Sequence, residues 1–97
     1  MPRPVIHPGE ILREEFLNPL GMTANALAMA LKIPAPRIND IARERRAITP
    51  DTALRLARYF GTTPEFWLNL QTAYDLRIAR NTAQDIIERE VLPREVA

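Results

Sequence analysis

The chain has 97 residues, with 13 Lys and Arg against 12 Asp and Glu, one His and no Cys. That length holds one compact domain, with or without an extension, and not two large lobes. The absence of Cys removes disulfide scaffolds, thiolate nucleophiles and Cys-based zinc or iron–sulfur sites, and a single His removes His-rich metal sites.

The remaining composition is that of an ordinary globular chain, at 46% hydrophobic and 26% charged residues. No run approaches 18 consecutive apolar residues, so no transmembrane helix is expected. Met1–Pro8 has neither a long apolar stretch nor a small-residue cleavage site, so no secretory leader is expected and the cytoplasm is the default compartment. The net charge of +1 hides a polarity. Residues 32–46 carry Lys32, Arg37, Arg43, Arg45 and Arg46 against Asp40 and Glu44. Residues 82–97 carry Arg89 and Arg94 against Asp85, Glu88, Glu90 and Glu95. A basic middle suits an anion, and an acidic tail suits something basic.

Helical spacing dominates, and no segment reads as a strand. The first helix starts near Pro8, because proline at the first helical position gives up only an N–H that lacks an intrahelical partner. His7 is read as a residue capping that helix start. Glu10 sits at the positive end of the dipole. Ile11, Leu12, Phe16 and Leu17 form the apolar stripe, and Asn18-Pro19 is expected to end it. Gly21 marks a turn and Thr23 an N-cap. The second helix is short and small-faced, with Ala24, Ala26, Leu27, Ala28, Ala30 and Leu31. A tight link through Lys32-Ile33 leads to Pro34-Ala35-Pro36, which opens a third helix to about Glu44. Its inward residues are Ile38, Ile41 and Ala42; Arg37, Asn39, Asp40 and Arg43 point outward.

Thr49-Pro50-Asp51 combines an N-cap hydroxyl, a proline at the first position and an acid in the first turn. The stripe Ala53, Leu56, Ala57 and Phe60 follows at i, i+3, i+4 and i+7, and Gly61 is the expected C-terminal cap. Thr63-Pro64-Glu65 repeats the start signal. Phe66 and Leu70 are expected in the core. So small a domain has little interior for many large residues, which assigns Trp67, Leu70 and Tyr74 to contact with a second subunit. Asn81-Thr82 is expected to interrupt the helix, with a last short helix carrying Ile86, Ile87 and Val91 and ending at Pro93. The expected division is a domain over residues 1–80 and an extension over 81–97.

Two short helices joined by about three residues, the second basic and outward-polar, describe a helix-turn-helix spanning about residues 23–44. Arg grips guanine and Asn grips adenine through paired hydrogen bonds, so Arg37 and Asn39 are candidates for base readout. Arg43, Arg45 and Arg46 are candidates for phosphate contact, which sets register without reading sequence. Asp40 would repel phosphate and is expected to pair with Arg37 or Arg43. Glu14 and Glu15 are adjacent and point about 100° apart on a helix, so they do not converge as an acid–base pair. No nucleophile–base set and no phosphate-cradling glycine loop is found, so catalysis, a metal and a cofactor are not expected.

These residues carry a resemblance. The stretch resembles the Cro/repressor-type (XRE) helix-turn-helix family. Within it, His7-Pro8-Gly9-Glu10, Arg37-Ile38-Asn39, the run from Ile48 to Leu56 and the run from Phe66 to Gln71 are similar to the HigA antitoxin branch, also called virulence-associated protein I. The resemblance spans about residues 5 to 76. It implies an all-α, five-helix, lambda-repressor-like DNA-binding domain, here with a C-terminal helical extension. Such a domain dimerises, represses its own operon through operator DNA, and neutralises a HigB-type mRNA endonuclease encoded beside it. Pro36, Arg37, Asn39 and Arg43 fall on its groove-facing surface. Two residues depart from the family pattern: Lys32 stands at the turn position where glycine is usual, so the turn takes a positive φ at some cost or is shaped differently, and Ala24 replaces a glutamine that contacts phosphate in many repressors. The alternatives are a free-standing transcriptional regulator without a toxin, and a helical interaction module that has lost DNA binding.

Overall fold

A computed structural model describes residues 5–95, all helical where regular. Met1–Pro4, part of the segment expected to lack leader features, and the last two residues of the acidic tail lie outside the described residues. Five helices follow one another. Helix α1 is built from three continuous pieces, Pro8–Ile11, Leu12–Leu17 and Asn18–Leu20; α2 spans Ala24–Leu31, α3 Ala35–Ala42, α4 Pro50–Phe60 and α5 Pro64–Glu90.

The starts follow the sequence signals. His7 Nδ1 accepts the Gly9 N–H at 2.9 Å. Thr23 and Thr63 each accept an N–H three residues on at 3.1 Å, and Thr49 does so at 3.4 Å. These bonds satisfy donors that the helix cannot reach itself. Pro8, Pro50 and Pro64 stand in first turns, where a missing N–H costs nothing.

Two boundaries differ from expectation. Helix α1 does not stop before Pro19. Its middle piece, Leu12–Leu17, is π-helical, and the Asn18 N–H reaches back five residues to the Arg13 carbonyl. A wider turn displaces the carbonyl that the proline ring would otherwise strike, so the chain carries Pro19 to Leu20. Gly21, at φ 61°, then closes the helix, with Met22 N–H on the Leu17 carbonyl at 2.9 Å. Helix α5 likewise runs uninterrupted through Asn81 and Thr82. The Thr82 hydroxyl donates to the Ile78 carbonyl at 2.9 Å, so it bonds within the helix rather than capping a new one.

The core gathers Leu12 and Leu17 from α1, Leu27, Ala28 and Leu31 from α2, Ile38 and Ile41 from α3, Ala53 and Leu56 from α4, and Trp67 from α5. Trp67 is fully buried. Its ring lies 4.9 Å from Phe16 and 5.0 Å from Phe66, and its Nε1 donates to Thr62 Oγ1 at 2.8 Å. The expected phase of α5 is therefore corrected. Phe66 is 38% exposed and Leu70 only half-buried, whereas Trp67 and Gln71 face inward. The polar Gln71 misled the count of apolar positions: its side-chain oxygen accepts the buried Ile48 N–H at 2.8 Å. Its amide nitrogen donates to Asp75 at 3.0 Å. Only the first turns of α5 pack on the body. The rest extends away, and the molecule measures 56 × 29 × 20 Å.

Helices α1 and α3 touch backbone to backbone at Gly9. A methyl group there would overlap the Ile41 carbonyl oxygen and stand 2.9 Å from its carbon. Arg13 secures the same seam. It donates to the Ala42 carbonyl at the end of α3 and pairs with Glu44 at 3.3 Å. A Gly→Ala change in a helix normally gains about 0.5–1 kcal/mol. For Gly9→Ala the overlap with rigid backbone outweighs that gain, and a net loss of about 1–3 kcal/mol is expected, read as a lower urea midpoint with unchanged slope.

His7 is buried, with its ring edge-on to Tyr74 at 4.7 Å. Burial pushes its imidazole below the ordinary value, against the pull of Glu44 and Asp75. The unfolded chain thus binds a proton here more readily than the folded one, so stability rises with pH through this window. The full contribution is present above about pH 6.5, the unfolded value. It declines as pH falls below that toward the folded value. The urea midpoint is expected to drop between pH 7.5 and 5.5, and His7→Asn, which keeps a capping acceptor without a titrating ring, is expected to flatten that dependence.

Candidate nucleic-acid interface

Helices α2 and α3 are only eight residues each. Both close in the same way, on a non-glycine residue in the left-handed region. Lys32 has φ 61° and Glu44 φ 64°. The Ile33 N–H reaches the Ala28 carbonyl at 3.1 Å, and the Arg45 N–H reaches the Asp40 carbonyl at 2.8 Å. Each conformation costs about 1–2 kcal/mol against a residue without Cβ. Of the two alternatives for its turn, Lys32 thus takes the positive φ. The Glu44 kink carried no such signal.

Helix α3 buries Ile38, Ile41 and Ala42. What remains is a ridge of Pro36, Asn39, Asp40 and Arg43, with Pro36 and Arg43 fully outward. Arg37 lies on the flank of this ridge nearest α4. Asn39 lies on the flank nearest α2, where its Nδ2 donates to Asn25 Oδ1 at 2.7 Å and to the Ala35 carbonyl at 3.0 Å. Those bonds leave the side-chain Oδ1 of Asn39 and Nδ2 of Asn25 for a ligand. Asn25 was not foreseen. Its position two residues past the Thr23 cap placed it on the outer face beside α3, but an asparagine there reads equally well as solvated surface. Ala24 turns inward and packs on the core.

The loop after α3 exposes Arg43, Arg45 and Arg46. Arg37, Arg46, Ala47, Thr49, Asp51 and Thr52 line one open depression of about 310 Å³ beside the ridge. The expected partner of Asp40 is corrected. Asp40 pairs with Arg46 at 3.6 Å, because Arg37 is turned toward α4 and bonds Asp51 at 3.1 Å. Helical periodicity within α3 does not disclose a partner fourteen residues away. Asp51 also takes a bond from Arg55 at 2.9 Å, and Arg55 and then Arg37 hold its carboxyl below the usual carboxylate range.

A convex, positively flanked short helix with amide and guanidinium groups beside it is the shape and chemistry of a duplex reader. The family model described as helix-turn-helix matches residues 12–67. The chain belongs to the XRE-type helix-turn-helix family, in the branch of HigA and virulence-associated protein I. It is 61% identical over 83 residues to virulence-associated protein I of Dichelobacter nodosus, covering 86% of this chain and 77% of that one. It is 42% identical over 77 residues to antitoxin HigA-1 of Vibrio cholerae serotype O1, covering 79% of this chain and 72% of the relative. Among solved structures it superposes on the Pseudomonas aeruginosa antitoxin HigA with higBA promoter at a TM-score of 0.92 and 50% identity, covering 95% of this chain and all of that one.

Within this branch, the expected subunit contact through Trp67 fails, since the indole is enclosed by its own protomer. Leu70 and Tyr74 are half-buried and line a shallow groove of about 270 Å³ with Val5, Ile6, Ala73 and Arg77. Large apolar surface lies further along α5 instead. Leu76, Ala79, Ala83, Ile86 and Ile87 are spaced as one helical seam, and Leu76, Ile86 and Ile87 are 46–51% exposed. No helix among the described residues is long and apolar enough to cross a membrane.

Proposed function

We propose that this protein is a HigA-type antitoxin: a dimer that binds operator DNA through α3, represses its own operon in the cytoplasm, and neutralises a HigB-type mRNA endonuclease. The observation that carries the DNA half is the ridge of α3, flanked by Arg37 and Asn39 and continued by the basic loop. It supports base readout by Arg37 and Asn39, with Pro36 against the groove wall and Arg43, Arg45 and Arg46 on phosphates. The relative solved with its promoter supports DNA binding by this fold. Readout by a dimer matches a two-fold site with half-sites about one helical turn apart. Leu70 and Tyr74, with the seam along distal α5, are apolar enough to meet a second copy. The toxin half rests on the antitoxin relatives. The acidic surface of α1 around Glu10, Glu14 and Glu15, or the acidic tail, suits a basic enzyme.

Gel shifts with the DNA upstream of the protein's own reading frame test the first half. Arg37→Ala is expected to cost about 1–3 kcal/mol on the preferred duplex and to relax preference at one base step. Arg46→Ala is expected to weaken all duplexes alike and to flatten the salt slope by about one. Equal loss of selectivity from both would contradict the assignment of roles. Co-expression tests the second half: the product of the adjacent reading frame is expected to co-elute with this protein and to arrest growth in its absence. A neighbour that neither binds nor inhibits growth would remove the toxin from the picture and leave a free-standing regulator.

A further inference from the structure

Two arginines from different helices converge on one carboxylate oxygen. Asp51 Oδ2 accepts from Arg37 Nη1 at 3.1 Å and from Arg55 Nε at 2.9 Å. Arg55 also donates from Nη1 to the Leu31 carbonyl at 2.8 Å, at the C-terminal end of α2. A line of bonds therefore runs from the end of α2, across the first turns of α4, to the flank of α3. It fixes Arg37 against both elements that frame the recognition helix. The DNA roles assigned above do not use Asp51.

The location of the carboxylate matters as much as its bonds. Asp51 shares its depression with Arg37, Arg46, Thr49 and Thr52. Without the acid, the guanidinium groups of Arg37 and Arg46 beside a helix N-terminus would favour a phosphate there. A negative charge in the middle of the depression repels phosphate. It also engages one nitrogen of Arg37 while leaving the remaining donors of a rigid planar fork. Guanine offers two acceptors, O6 and N7, which a held guanidinium edge can still meet. A phosphate gains less from Arg37, hydrogen-bonded to its carboxylate at 3.1 Å, than from Arg46, whose pair with Asp40 is a looser 3.6 Å.

We infer that Asp51 is a specificity-determining positioning residue, which aims Arg37 at a base and withholds it from the phosphate backbone. The inference rests on α3 being the groove-facing helix. Binding to arbitrary sequence is driven by phosphate neutralisation, so a carboxylate that blocks a phosphate site weakens all such binding. The same carboxylate leaves the base contact intact and so widens the gap between preferred and arbitrary DNA. The carboxylate is well suited to this, because its two guanidinium partners keep it ionised.

The test uses the full chain, its Asp51→Asn and Arg37→Ala variants and the double variant. Each is titrated by fluorescence anisotropy, over a range of salt, against two duplexes: the upstream fragment that the wild type retains most tightly, and a scrambled duplex of equal length and composition. Asp51→Asn is expected to bind the scrambled duplex about 3–10-fold more tightly at low salt. Its affinity for the preferred duplex is expected to change less, so the ratio of the two falls about threefold or more. In the Arg37→Ala background, Asp51→Asn is expected to lower that ratio clearly less, because only the charge repulsion beside Arg46 then remains to be lost. Asp51→Glu is expected to recover part of it. An unchanged ratio in Asp51→Asn overturns the inference, as does an equal weakening on both duplexes, the mark of a merely structural role that thermal melts would also register. A ratio that falls as far without Arg37 overturns it too, since Asp51 would then act by charge alone. Those failures leave α3 as the reading helix. A wild type with no preference among duplexes removes the α3 reading itself, and with it the inference.

Discussion

The hydrogen bond from the Ile48 N–H to Gln71 Oε1, 2.8 Å long and buried, ties the basic loop after α3 to the body of the molecule. Ile48 is itself buried, so its amide has no water to bond. An unpaired buried amide costs about 1–3 kcal/mol, and Gln71 removes that cost from α5, 23 residues away. The bond has two consequences. It pins the segment that carries Arg45, Arg46 and Thr49 directly after α3. It also fixes the rotation of α5, so that Trp67, one turn earlier on the same face, enters the core among Phe16, Phe60 and Phe66. Leu70 and Tyr74 are thereby turned toward the edge. The loop and the long helix are positioned by the same contact.

The reading helix depends on that scaffold. An isolated eight-residue helix is unstable in water, because nucleation is costly and few bonds follow it. Helix α3 persists because Ile38 and Ile41 are fully buried and because its seat on α1 is close enough to require Gly9. Arg13 bonds the carbonyl of Ala42 and the side chain of Glu44, satisfying the end of α3 where the chain turns through a positive φ. The strain at Lys32 and Glu44 is thus carried at the two ends of the motif's second half, and tertiary contacts hold both in place. This leaves Pro36 and Arg43 free of structural duty on the outside, while the Asn39 amide nitrogen is held by Asn25 and the Ala35 carbonyl.

Most of the fold was legible because its signals are local. Threonine followed by proline, glycine after an apolar stripe, and small residues at helix crossings all act within one or two turns, and Thr49, Thr63, Gly61 and Ala28 behave accordingly. A positive φ at Lys32 was one of two alternatives legible from the family pattern. The misreadings came from interactions that join distant residues. The inward face of α5 was misphased because the polar Gln71 has its partner, Ile48, 23 positions away. Asp40 was matched to neighbours on its own helix, whereas Arg37 had a stronger acceptor on α4. Pro19 was read as a stop because a π-helical widening upstream of it leaves no compositional trace. In the interface, Arg37, Asn39 and Arg43 could be nominated from spacing, but Asn25, Asp51 and Arg55 acquire roles only when three helices are brought together.

Charge explains how a chain of nearly zero net charge can still present a duplex-reading surface. Around α3 the acids stand beside particular bases: Asp40 with Arg46, Glu44 with Arg13, and Asp51 with Arg37 and Arg55. Each pair is at least partly exposed and contributes little to stability. Its effect is on the field. Paired arginines keep their directional hydrogen bonds while their long-range attraction is reduced, so geometry weighs more than charge in choosing a partner. The unpartnered attraction falls mainly to the exposed Lys32, Arg43 and Arg45. Few free cations per protomer means few counterions released, and a weak hold on arbitrary DNA follows. A second copy doubles the free cations and the base contacts together, but only where two half-sites have the spacing that the pair of ridges requires. On the proposed reading, selectivity then comes from symmetry and aimed hydrogen bonds, without the surplus of positive charge common in nucleic-acid binders.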